Sequence, residues 1–386
     1  MNTSSSPLNV DAAQVRAFRA HRGLLGSERA PDAPSAARRL LGTQAQVLTC
    51  GLHALALRTE GTPTLKALKR ALERDRTLAR TWGQRDTLHL YAPEDLEVVI
   101  GCRAHWKRTG RRGGAPPDEV LEAMAGRFAA ASEPLTRTDI IPHLPSAFVR
   151  ALEELAASSN MDAERLAASR VLEALAARGD IVFATKKGRE QGYAHRERWF
   201  QRLPWSVASP DDACRAATRR FMQAFGPVSV DDLSYHMGAN KADVRRWMQG
   251  MMSEVLHVEC EGFAPMMLLE DDQDLLREAH PPPALRMLPA YDTVLMGHKD
   301  KRWLLHDPDE YGQVWKRAAV VSAVILNEGL IVGTWTQKKR TKHVRVELHP
   351  LSGWRAEMWA DAQKEALRYA QHLELELEDV QVRPLV

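Results

Sequence analysis

Between residues 9 and 270 the chain repeats one order of elements: helix, helix, helix, then two short alternating stretches joined at a turn. A recurring order of this length describes small modules in tandem rather than one large sheet or bundle. Residues 209–270 give the clearest instance. Ser209-Pro210-Asp211 opens a helix that Gly226-Pro227 stops, and Ser229 or Asp231 caps a short second helix closed by Gly238. ANKADVRRWMQGMM then sets Val244, Trp247 and Met251 at helical spacing. EVLHVECEGFAPMMLLE alternates as two strands turning at Glu261-Gly262. This is the pattern of a winged helix-turn-helix.

The same order recurs upstream. DEVLEAMAGRFAAA is a helix, Thr136 or Thr138 caps a short one, and DAERLAASRVLEALAARG is a long third one ended by Gly179. DIVFATKKGREQGYAHRERWFQRL follows as a pair of strands around a basic turn. A looser version comes first: VDAAQVRAFRAHRGL, SAARRLLGTQAQVLTCGLHALAL and TLKALKRALERD as helices, and TLARTWGQRDTLHLYAP as a hairpin turning at Gly83-Gln84. Beyond residue 275 the character changes. VVSAVILNEGLIVGTWTQKKRTKHVRVELHP alternates around an Asn327-Glu328-Gly329 turn, WRAEMWADAQKEALRYAQHL is helical, and LELELEDVQV closes as a strand. The expected fold class is α+β, mainly α: three tandem winged helix-turn-helix units followed by a C-terminal β-rich α+β domain. The boundaries fall at 9–115, 116–206, 207–275 and 276–386.

Composition narrows the function classes. Cys50, Cys102, Cys214 and Cys260 lie far apart, without CxxC or Cys/His ligand spacing, so neither zinc nor a disulfide framework is expected. No apolar run approaches the roughly 20 residues of a membrane span, and MNTSSSPLNVDAAQ lacks the basic start and apolar core of a signal peptide. A cytoplasmic protein is expected. No Gly-rich phosphate loop is present, and no cofactor is called for. The net charge of +3 is too small to announce a nucleic-acid partner, but the positive charge is clustered. One run is Lys186, Lys187, Arg189, Arg196, Arg198 and Arg202 on the second wing, interleaved with Tyr193 and Trp199. A second is Arg103, Lys107, Arg108, Arg111 and Arg112; a third is Lys338, Lys339, Arg340, Lys342 and Arg345 at a C-terminal hairpin. Basic hairpins on winged helices favour phosphate contacts. The third helices read bases poorly: one offers Arg245 and Arg246, the other almost nothing. Binding through backbone and shape is therefore expected over base-edge readout.

Gln44 and Gln46 flank Ala45 in a stretch that otherwise reads as an apolar helix. Buried amides cost free energy unless they find partners. The pair either bonds to neighbouring backbone or holds a water against a DNA sugar. On an ideal helix the two side chains stand about 200° apart, so a shared water requires a helix end or an irregular turn, for which Gly42 and Thr43 are placed.

Three stretches together carry a family resemblance: Gln44-Ala45-Gln46 after Leu40-Leu41-Gly42, then Arg85-Asp86-Thr87-Leu88-His89-Leu90, then LPAYDTVLMGHKDK followed by Gly333-Thr334-Trp335. In this order, over nearly the whole chain, they resemble the winged-helix DNA glycosylases of the AlkZ and YcaQ type, in the Gln-x-Gln branch. The resemblance implies catalytic Gln44 and Gln46, and a DNA interface that includes Arg85, Thr87 and His89. With the charge runs it adds Lys186, Lys187, Arg189, Arg196, Arg198, Lys338, Lys339 and Arg340. Relatives commonly carry Arg-Gly-Thr-Leu-His where this chain has Asp86, a residue that reads foremost as part of a turn. The implied activity is hydrolysis of the N-glycosidic bond of cationic alkylated purines, N7-alkylguanine and N3-alkyladenine, extending to interstrand crosslinks. With no lysine in the motif to form a Schiff base, strand cleavage by β-elimination is not expected. The implied partner is double-stranded DNA with alkylated bases, met by a nucleoid-associated monomer without metal or cofactor. A non-catalytic winged-helix DNA-binding protein or transcription regulator stays open as the alternative.

Overall fold

The computed structural model describes residues 6–106, 114–201, 203, 209–280 and 285–383; Lys107, Arg108, Arg111, Arg112 and Arg202 of the basic runs lie outside the described residues. Contacts divide the chain into two compact units. One joins the chain up to Lys69 with Arg215–Val386, and the other is Arg70–Cys214.

The first unit begins with β1 (Leu8–Asn9) and α1 (Ala12–Arg22). Asp11 and Gln14 form a reciprocal capping box at the start of α1, which satisfies amides that the first helical turn leaves open. Then come α2 (Ala33–Arg39), β2 (Thr43–Gln44), α3 (Leu48–Ala56) and α4 (Leu65–Glu73). The single helix expected over residues 35–57 is thus two helices with an extended segment between them, and that segment holds the glutamines.

The second unit opens with the antiparallel hairpin β3 (Ala79–Trp82) and β4 (Leu88–Tyr91), followed by α5 (Leu96–Trp106). Next are α6 (Asp118–Ala130), α7 (Arg137–Ile140), α8 (Ser146–Arg150), α9 (Glu153–Ser158) and α10 (Ala163–Arg178). The hairpin β5 (Ile181–Lys187) and β6 (Glu190–His195) then leads into α11 (Arg196–Trp199). Gly179 ends α10 in the left-handed conformation a glycine adopts without steric cost. Phe128, Ile140, Phe148, Val171, Leu175 and Phe183 form its main core, and Tyr91, Leu96, Val182 and Trp199 a second one. Arg196 and Arg198, expected on the wing, sit instead on the short helix after it.

The chain returns to the first unit through α12 (Pro210–Phe225), α13 (Val230–Met237), α14 (Lys241–Gln249) and the hairpin β7 (Val255–Glu259) and β8 (Met266–Leu269). β1 pairs in parallel with β7, and Val15 and Phe18 of α1 pack with Val258 and Leu268. Beyond α15 (Gln273–Arg277), β9 (Arg286–Leu288), α16 (Thr293–Gly297), α17 (Tyr311–Val314) and the short pair β10 (Trp315–Lys316) and β11 (Val320–Val321) comes the main sheet. Its remaining strands are β12 (Val324–Asn327), β13 (Leu330–Lys339), β14 (His343–Pro350) and β15 (Glu376–Val382), ordered β15-β14-β13-β12-β9. α18 (Trp359–His372) lays Ala362, Ala366 and Tyr369 against Ile325, Val332 and Trp335 of this sheet. The first half of β13 is buried on both faces, Ile331 in one core and Val332 and Trp335 in another, and its second half, Thr336–Lys339, is exposed. The fold class is α+β, mainly α.

Candidate active site and DNA interface

The Gln44–Gln46 segment owes its shape to a backbone reversal. α2 gives way at Leu41 and Gly42, which stand at φ +52° and +87°. The Gly42 amide donates to the Ala37 carbonyl at 2.8 Å, the six-to-one bond of a Schellman closure, which occupies a carbonyl the helix end leaves open. Gly42 takes the left-handed conformation freely; Leu41 carries the steric cost. The chain then runs extended through Thr43 and Gln44. Gln44 is 7% exposed and Ala45 fully buried, whereas Gln46 and Val47 face solvent. The helical spacing that would hold the two amides apart is absent, and one amide anchors inside while the other meets water.

α3 fixes this segment from behind. Gly51 abuts it so closely that a Cβ there would lie 2.8 Å from the Ala45 Cβ and 2.9 Å from the Gln44 carbonyl oxygen. The Thr43 hydroxyl donates to the Gly51 carbonyl at 3.4 Å. Just past α3, the fully buried Arg58 donates from Nη1 and Nη2 to both oxygens of Asp292, at 2.9 and 2.7 Å. It also reaches the Gly23 and Ala54 carbonyls at 2.7 and 2.9 Å. Asp292 in turn caps α16 through the Val294 amide. Asp292 of the LPAYDTVL motif is therefore a structural clamp that, through Arg58, holds the end of α3. His53 of α3 is buried against Tyr369, His372 and Trp335, with ring centroids 4.7, 5.2 and 6.2 Å away. Burial, then the neighbouring His372, holds its imidazole well below the ordinary histidine pKa, so it is neutral. Lys339 approaches the first turn of α3. Partial desolvation lowers its pKa, the Cys50 thiol opposes that, and its ammonium lies 6.0 Å from the Tyr369 ring centre.

In the second unit the β3–β4 turn is tight. Arg85 and Asp86 both have positive φ, +53° and +58°. Asp86 accepts from Arg103 at 3.2 Å, so Arg103, expected in a solvent-facing basic run, is turned inward as the partner of a turn carboxylate. Thr87 donates to the Gln84 carbonyl at 3.1 Å, and His89 Nδ1 lies 2.9 Å from the Thr87 carbonyl. His89 is buried; desolvation first, then Arg85, push its pKa down to about 3 against the opposing Thr87 bond. A neutral ring must donate from Nδ1 to that carbonyl, leaving Nε2 as an acceptor. Beside it the Tyr91 hydroxyl donates to the Gln84 side chain, and a Cβ at Gly83 would collide with that hydroxyl.

Lys186, Lys187 and Arg189 are exposed around the β5–β6 turn at Gly188, with Lys187 3.3 Å from Asp139. Arg196 is half-buried and donates to the Gly179 carbonyl at 3.0 Å, closing the end of α10. Arg198 is exposed and, with Lys186, Lys187, His195 and Arg76, borders a cleft of about 480 Å³. Arg76 lies 4.2 Å above the Trp199 ring there, a contact the sequence reading missed because the two residues are far apart in the chain. Lys338, Lys339 and Arg340 are exposed at the β13–β14 turn, Lys338 paired with Glu347 at 2.9 Å. The residues expected at the site thus divide: Gln44, Gln46 and Lys338 to Arg340 belong to the first unit, and the others to the second. Among the described residues no group of His, Cys, Asp or Glu could hold a metal ion, and no helix is long and apolar enough to cross a membrane.

The sequence model of the DNA glycosylase AlkZ-like family matches residues 37–372, a span that takes in the Gln44–Gln46 segment and ends at His372. The chain belongs to the AlkZ-like DNA glycosylase family. As a member of that family it is a DNA glycosylase, and DNA is its substrate. It is 28% identical over 335 residues to an interstrand DNA cross-link repair glycosylase of Streptomyces sahachiroi, covering 83% of this chain and 86% of that protein. The solved structure of the Streptomyces sahachiroi DNA glycosylase AlkZ superposes with a TM-score of 0.81 at 24% identity, over 97% of this chain and all of that one. This AlkZ-like chain therefore shares that fold.

Proposed function

We propose that the protein is a monofunctional glycosylase of cationic alkylated purines in double-stranded DNA, acting on N7-alkylguanine and N3-alkyladenine and unhooking interstrand crosslinks built on the same bond. Gln44 and Gln46 position the water. The observation that carries this reading is the non-helical segment in which Gln44 is buried and rigidly backed by α3 while Gln46 stays at the solvent edge.

Alkylation at N7 or N3 gives the base a positive charge. As the C1′–N bond breaks, its electron pair leaves with the base and neutralises it, so no strong general acid is required. The sugar becomes oxocarbenium-like, and water must meet C1′ from the opposite side. A carboxamide oxygen accepts the water's proton in a hydrogen bond, fixes its lone pair toward C1′ and places a partial negative charge near the developing cation. The oxygen bonds to C1′, and the excess proton passes to solvent. Neither amide titrates in the ordinary range, so the chemical step requires no ionised side chain.

The DNA interface we propose uses α12–β8, with its helix, helix, helix, hairpin order, and α6–β6, where the short helices α7, α8 and α9 stand between the two long ones, as winged helices, with Lys186, Lys187, Arg189 and Arg198 on the phosphates and Lys338, Lys339 and Arg340 near the Gln pair. Arg85 and Thr87 are proposed as DNA contacts as well. Buried His89 and half-buried Arg196 serve these contacts by holding the β3–β4 turn and the end of α10. The test is incubation with duplexes carrying N7-methylguanine or a nitrogen-mustard crosslink, followed by alkali to reveal abasic sites. Base release that disappears in the Gln44→Ala, Gln46→Ala double variant, with duplex binding retained, is expected. Undiminished release by that variant would overturn the assignment.

A further inference from the structure

Several helices, α6, α8, α9 and α18 among them, start without a side-chain cap bond on a proline or a buried apolar residue, whereas α3 starts on an exposed aliphatic one. Asp11, Asp32, Asp162, Ser229 and Asn240 cap α1, α2, α10, α13 and α14, each with a side-chain oxygen accepting a backbone amide of the first turn. α3 has Val47 at that position, with φ −100° and ψ 103° and no side-chain cap bond. Valine is among the poorest residues there, because it offers no acceptor. It is also left 45% exposed, immediately after Gln46. Two local costs therefore meet at one residue beside the glutamines, and such conflicts concentrate where function overrides stability.

We propose that Val47 is a substrate-seating residue: its branched side chain packs on the deoxyribose of the lesion nucleotide. This rests on the reading of Gln44 and Gln46 given above. The sugar's C–H edge is the apolar part of a nucleotide that lies next to C1′, and the isopropyl group is its counterpart in size and polarity. β-Branching leaves Val47 few rotamers to lose on contact. Seated in this way, the apolar contact excludes bulk water from the flank of C1′ and leaves the glutamine-held water as the nucleophile. A hydroxyl at the same place would cap the helix and bring a second polar group, with its own hydration, against the sugar.

Val47→Thr tests this, since it keeps the shape and exchanges a methyl for a capping hydroxyl. Thermal unfolding is expected to shift upward by about 2–4 °C. The single-turnover rate of N7-methylguanine release is expected to fall by about tenfold, the loss of roughly one good apolar contact in the transition state. Affinity for undamaged duplex should stay unchanged. Val47→Ile, apolar and uncapped, should lose less rate than Val47→Thr, and Val47→Ala, which removes the contact without adding a cap, should lose about as much as Thr. Rates of Val47→Thr and Val47→Ala equal to the parent would overturn the proposal. Gln46→Ala run beside them separates the two ideas: if it retains full release, the glutamine reading has failed, whereas if it alone is inactive, only Val47 has.

Discussion

Gly51→Ala is expected to separate stability from catalysis. The added methyl would stand 2.8 Å from the Ala45 Cβ and 2.9 Å from the Gln44 carbonyl oxygen, against the 3.4 Å at which ordinary contact begins, so α3 and the glutamine segment must part by about 0.6 Å. Alanine is favoured over glycine inside a helix by about 1 kcal/mol, which opposes the strain and leaves the net stability change small. Catalysis has no such compensation. A misplacement near 1 Å costs about 100-fold in an oriented reaction, so a shift of roughly half that size should slow base release by about tenfold, or about 1.4 kcal/mol of transition-state stabilisation. The assay is single-turnover release of N7-methylguanine at saturating enzyme, with urea unfolding and duplex affinity measured on the same preparation. A rate within twofold of the parent, at unchanged stability, would refute the idea that α3 sets the position of Gln44.

Asp292→Asn should cost about 3–5 kcal/mol in urea unfolding, because it leaves the fully buried Arg58 guanidinium without its countercharge. The Arg58→Met, Asp292→Leu pair should recover most of it, and a loss below about 1 kcal/mol for the single change would contradict the clamp. Stability should fall with acid: His53 lies well below the ordinary histidine pKa and His298 is pushed down to about 3, chiefly by burial, so the unfolded chain takes up their protons first. Each contributes stability that is complete above about pH 6.5 and is lost at about 1.4 kcal/mol per pH unit as pH falls below it, for His298 toward about 3. A urea midpoint equal at pH 7 and pH 5 would refute this. Lys186→Ala and Arg189→Ala should each flatten the plot of log affinity against log salt by about one unit of slope, and an unchanged slope would remove them from the phosphate contacts.

The elements with chemical punctuation were legible in the sequence: Ser229 and Gly238 bound α13, Asp162 and Gly179 bound α10, and the alternating runs became β13, β14 and β15. The break between α2 and α3 was not, because it depends on Leu41 adopting a left-handed conformation that leucine rarely takes. Its warrant lies in packing, where Gly51 admits the extended segment. The glutamines could be picked out as misplaced amides, but their different burial could not. Arg103 and Arg196 were read as surface charge because their partners, Asp86 and the Gly179 carbonyl, are 17 residues away and meet them only through the fold. The signal for Gly51 was present in weak form, as a glycine inside a helix; Val47 gave none, because the helix start it occupies was not legible.

The first unit is assembled from the two ends of the chain, and that has a bearing on synthesis. Residues 70–214 are continuous and emerge from a ribosome with their whole core. The glutamine segment emerges earlier still, yet α3 is braced by Asp292, Trp335, Tyr369 and His372, which are made late. A nascent chain is therefore expected to hold a folded middle while its motif waits, unbraced, for the last strands and helix. Products cut short before α18 should be silent toward DNA lesions, so that α18 must be made before any base is removed.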